Sequence, residues 1–68
     1  MKITIFYKKK NRVDIRMVEN VLVPWDVIAD YKIRYPLRSE EVVMEVIAKV
    51  FLKTLRGDVE YMGWQEVK

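Results

Sequence analysis

A chain of 68 residues, 51% apolar and 34% charged, is sized and composed for one globular domain and not for a disordered segment. It holds no Cys and no His, which removes disulfide staples, thiolate or imidazole metal sites, and the commonest catalytic bases and nucleophiles. The net charge of +3 is uneven: Lys2, Lys8, Lys9, Lys10, Arg12 and Arg16 against Asp14 give +5 over residues 1–16, and the rest sums to −2.

In chain order, Ile3, Ile5 and Tyr7 alternate with polar residues, and so do Val13, Ile15 and Met17. Period-two patterning predicts two strands, each with one buried face. A three-residue loop at Lys9-Lys10-Asn11 would set Lys8 opposite Arg12, Tyr7 opposite Val13, Ile5 opposite Ile15 and Ile3 opposite Met17. Asn11 would then take the left-handed position such loops require, which Asn tolerates well. Pro24 opens a helical turn or simply redirects the chain. Ala29, Tyr31, Ile33 and Tyr35 alternate again, predicting a third strand that Pro36 ends.

Ser39 fits a helix N-cap, Glu40 and Glu41 suit the positive end of the helix dipole, and Gly57 suits a left-handed stop. Beyond it Val59 and Tyr61 begin a fourth strand, with Gly63 a bulge candidate. The expected fold is α+β: a small, mostly antiparallel sheet in the order β-β-β-α-β, with one helix packed across one face, all within a single domain spanning residues 1–68.

The helix from Val42 to Leu55 raises the main question about function. Glu41, Glu45, Lys49, Lys53 and Arg56 make a narrow polar stripe, and the apolar arc opposite spans on the order of 200°, against about 100° for a helix lying on one sheet. Two explanations stand: other parts of the same chain cover the second flank, or Met44, Ala48, Phe51, Leu52 and Leu55 meet another protein. A domain of about 60 residues buries only roughly 60% of its unfolded surface, so association is a natural aid to its stability.

Catalysis is not expected, because Ser39 is the one Ser and two Gly cannot build a phosphate-cradling loop. No cofactor, metal or small-molecule substrate is indicated. The leading expectation is a non-catalytic interaction module that binds itself or another protein, such as a small inhibitor or accessory subunit of the kind viruses and mobile elements encode. The alternative is nucleic-acid binding through the basic hairpin tip and the open sheet face. It would use Lys8, Lys9, Lys10, Arg12, Arg16, Lys32 and Arg34, with Phe6 as a stacking ring. No run reaches the roughly 18 apolar residues of a membrane span, and "MKITIFY" alternates unlike a secretory leader, so a cytoplasmic setting is expected.

Overall fold

The first alternating segment does form a strand. In a computed structural model covering Met1–Lys68, β1 (Lys2–Lys9) buries Ile3, Ile5 and Tyr7 on one face. β1 is the centre of a three-stranded antiparallel sheet, flanked by β2 (Arg16–Leu22) and β3 (Val59–Glu66) in the order β2-β1-β3. Two helices, α1 (Trp25–Arg34) and α2 (Glu40–Leu55), join β2 to β3. They pack on that face, so that Ile3, Ile5, Tyr7 and Val21 share one core with Ile28, Met44, Ile47 and Leu52. The fold is α+β, with element order β-β-α-α-β where β-β-β-α-β was expected.

The expected third strand is therefore a helix. Its alternation from Ala29 to Tyr35 coexists with a helical pattern: Val27, Ile28 and Tyr31, spaced i, i+1, i+4, turn inward together while Ile33 is left outside. The ends agree with a helix. Pro24 holds φ at −62° as N-cap, Asp26 sits in the first turn, and Lys32 and Arg34 sit in the last. Asp30 and Arg34 form an i,i+4 pair at 3.1 Å, and the Tyr31 and Tyr35 rings stack at 6.3 Å.

The β1–β2 register also differs from the expected one. Tyr7 pairs with Arg16, Phe6 with Met17, Ile5 with Val18 and Ile3 with Val21. For Ile5, Phe6 and Tyr7 the partner has slipped by three residues, and an odd slip exchanges the two faces of a strand; at Ile3 the slip is four, so Val21 stays on the inward side. Val13, Ile15 and Met17 leave the core, and Val18, Val21 and Val23 approach it. A bulge allows this. Asn20 adopts φ 57° where the register shifts between Ile3 and Ile5, which brings Val18 and Val21 to the same side despite their odd separation. Asn11 is left-handed as expected, at φ 66°, and the Arg12 N–H donates to the Lys9 carbonyl at 3.1 Å.

α2 begins as its sequence requires, with Ser39 Oγ accepting from the Val42 N–H at 3.3 Å. Its end is different. Arg56 is extended at φ −146°, its N–H donates to the Leu52 carbonyl at 2.7 Å, and Gly57 is not left-handed. Gly63, at φ 145°, does lie at a register shift of β3 against β1. No helix is long and apolar enough to cross a membrane.

Candidate interaction surface

The apolar arc of α2 is largely covered from within the chain. Because residues 25–34 form a helix, α2 packs on α1 as well as on the sheet, and Val43, Met44, Ile47, Ala48 and Leu52 are all buried. Met44, Ala48 and Leu52 thus belong to the core and offer no surface to a partner. Of the five residues expected to make a contact strip, only Phe51 (38% exposed) and Leu55 (54%) reach solvent. α1 packs against α2 and supplies part of this cover, while Val42, Val50, Phe51 and Leu55 stay exposed.

The basic residues are dispersed too. Phe6 and Lys8 do lie on the sheet face turned away from the helices, but Lys8 pairs with Glu60 at 3.4 Å. Lys32 and Arg34 are on α1, in the opposite layer, held by Glu40 at 3.3 Å and Asp30 at 3.1 Å. Lys9, Lys10, Arg12 and Arg16 remain exposed around the turn. Of the eight residues expected on one platform, Lys32 and Arg34 thus lie in the other layer, and Arg16, opposite Tyr7, turns from the open face.

An apolar notch of about 160 Å³ opens between β2 and the helices, lined by Ile5, Val21, Val23, Val27, Ile47 and Phe51 among others. None of its lining side chains is polar. Small-molecule sites normally carry a few convergent polar groups that orient the ligand, and this one has none.

On β3, Tyr61 lies beneath Lys49, whose Nζ is 5.4 Å from the ring centre, and Lys49 also pairs with Glu45 at 3.6 Å. Burial, and secondarily the Glu45 charge, push the Tyr61 phenol up to about 12. In the unfolded chain it releases its proton near its ordinary value of about 10. The stabilisation is therefore fully present below pH ~10 and is lost as pH rises through ~12. Thermal unfolding at stepwise higher pH is expected to show a fall in Tm across this window that Tyr61→Phe reduces.

An exposed apolar segment also precedes β2. Val13 is 90% exposed, Ile15 60% and Met17 50%. The chain runs from Arg12 into β2 without a turn or bend, so the three side chains follow one extended path. Of the backbone hydrogen bonds outside regular elements, none involves Val13, Asp14 or Ile15. β2 is also an outer strand, and its far edge is free. Aggregation-resistant proteins usually blunt such an edge with bulges, prolines or inward charges. The stretch from Arg12 to Val18 has no proline, and the bulge lies beyond it, at Asn20; its charges are Arg12, Asp14 and Arg16, of which Arg16 lies opposite Tyr7 on the helix-facing side.

The whole molecule is open in the same sense. Its accessible surface of 5136 Å² exceeds the roughly 4,500 Å² expected of a monomer of its mass. Its radius of gyration of 12.2 Å exceeds the roughly 11 Å of a compact 68-residue domain. The apolar alternation of Val13, Ile15 and Met17 was the sequence signal for this strip. It reads as a buried face until the register is known. No protein-family model, curated protein or solved structure matches this chain or its fold.

Proposed function

We propose that this protein is a non-catalytic interaction module, acting in the cytoplasm, that binds another polypeptide through the β2 edge and the strip Val13–Met17. One observation carries the reading: three large apolar side chains stand in water on a backbone stretch whose first three residues have no hydrogen-bond partners. Each apolar side chain of this size forgoes roughly 1.5–3 kcal/mol while exposed, a large share of the stability of a small domain. Addition of a strand at this edge satisfies the backbone and covers the side chains together. The site moves from the α2 flank to β2, but the class of function is the one that the composition favours.

Hydrogen exchange on the intact protein tests this, first alone over a concentration series and then equilibrated in a lysate of its source cells. Protection of the Val13–Ile15 amides in either condition is expected; Arg16 and Met17 are already paired with β1. Amides that exchange there at unprotected rates in both conditions, or protection confined to α2, would overturn the reading.

A further inference from the structure

We infer that the partner at this edge is a second copy of the same chain, paired antiparallel along Arg12–Val18 about a two-fold axis through Ile15. This rests on the reading of the strip as the interaction surface and adds the identity of the occupant. Charge and register select it. A two-fold axis normal to a sheet keeps every residue on its own face, so a strand paired with its own copy is restricted to registers centred on a residue.

With Ile15 on the axis, Ile15 meets its counterpart, Val13 meets Met17, and Asp14 meets Arg16, the last two pairs occurring twice by symmetry. Val13, Ile15 and Met17 each gain an apolar neighbour and two Asp14–Arg16 ion pairs form on the opposite face, with Arg12 meeting Val18 at the ends. Neighbouring registers fail. An axis at Asp14 opposes the two Asp14 residues and sets Arg12 against Arg16, and an axis at Arg16 opposes two arginines and sets Val13 against Glu19. An axis at Val13 restores an Arg12–Asp14 pair but sets Arg16 against Lys10 and Ile15 against Asn11. An axis at Met17 sets Ile15 against Glu19 and Asp14 against Asn20. Directly opposed like charges destabilise a sheet and opposite charges stabilise it, so one register is selected.

The other free edge is unsuited to the same use. β3 carries the bulge at Gly63 in its middle, and its only charged residues are Glu60 and Glu66, which allow no self-complementary pairing. A β2-to-β3 pairing would be heterologous and would grow into an open chain of molecules instead of closing as a dimer.

Asp14 and Arg16 are exposed and belong to none of the ion pairs within the monomer, so exchanging their charges leaves the fold intact. Sedimentation of the full chain is expected to show a dimer that Asp14→Arg and Arg16→Asp each weaken by at least about tenfold, since each substitution turns both symmetric attractions into repulsions. An equimolar mixture of the two variants is expected to regain the dimer. In the mixed pair, the introduced arginine faces the introduced aspartate, and the retained Arg16 faces the retained Asp14.

The chain has no cysteine, so Ile15→Cys supplies a second readout. Cross-strand Cα atoms lie about 4.5–5.5 Å apart, within disulfide range, and the variant is expected to crosslink to itself under mild oxidation. Leu55→Cys, exposed on α2, serves as the unpaired control. A wild-type chain that stays monomeric at high concentration overturns this inference; the broader reading then stands only if the lysate protects Val13–Ile15. Single variants that dimerise like wild type, a mixture that does not recover, or species that grow beyond the dimer overturn the pairing just described.

Discussion

Met44→Ala is expected to lower the stability of the monomer by about 3 kcal/mol, within the ~2–5 kcal/mol range of large-to-small core substitutions. Met44 is fully buried and sits where the sheet, α1 and α2 converge, so its truncation leaves a void that three elements would have to close. A domain this small holds on the order of 5 kcal/mol in total, and the variant is expected to be substantially unfolded near ~37 °C. Chemical denaturation is the measurement, with Phe51→Ala and Leu55→Ala as companions. Those two are already partly solvated, and about 1 kcal/mol each is the expected loss. The pattern decides what the α2 flank does. A contact strip would give variants that fold normally and associate poorly. A core helix gives the steep dependence on burial expected here.

How much of this was legible in the sequence depends on which forces act locally. Ser39 as N-cap, the acidic first turn of α2, the left-handed Asn11 and the bulge at Gly63 are each fixed by a residue's own backbone preferences and its nearest neighbours. All four were readable. α1 was hidden because the apolar residues of Ala29–Tyr35 alternate strictly, and the features that favour a helix lie outside that window, in Pro24, Asp26 and the buried Ile28. Once α1 is a helix, part of the excess apolar surface of α2 has a neighbour within the chain, and Val42, Val50, Phe51 and Leu55 are what remains exposed. The candidate surface was harder to see. Val13, Ile15 and Met17 carry the pattern of a buried strand face, and only the bulge at Asn20 places them outside the core. A one-residue event well beyond the turn decides which face of β2 is wet.

That event makes a pair of substitutions diagnostic. Val21→Asp is expected to cost on the order of 3–5 kcal/mol, the penalty for an uncompensated buried charge, and to leave no folded protein at ordinary temperature. Ile15→Asp is expected to change monomer stability by no more than about 0.5 kcal/mol, because the side chain already stands in water. Had the unbulged register formed, with Ile15 opposite Ile5, Ile15 would lie beneath the helices on the same face as Val21, and Ile15→Asp would unfold the chain as well. Circular dichroism melts of the two variants distinguish these outcomes directly. Ile15→Asp has a further consequence. By placing two carboxylates against each other at the two-fold axis, it is expected to leave a folded monomer at concentrations where the wild-type chain pairs, separating the residue's role in association from any role in folding.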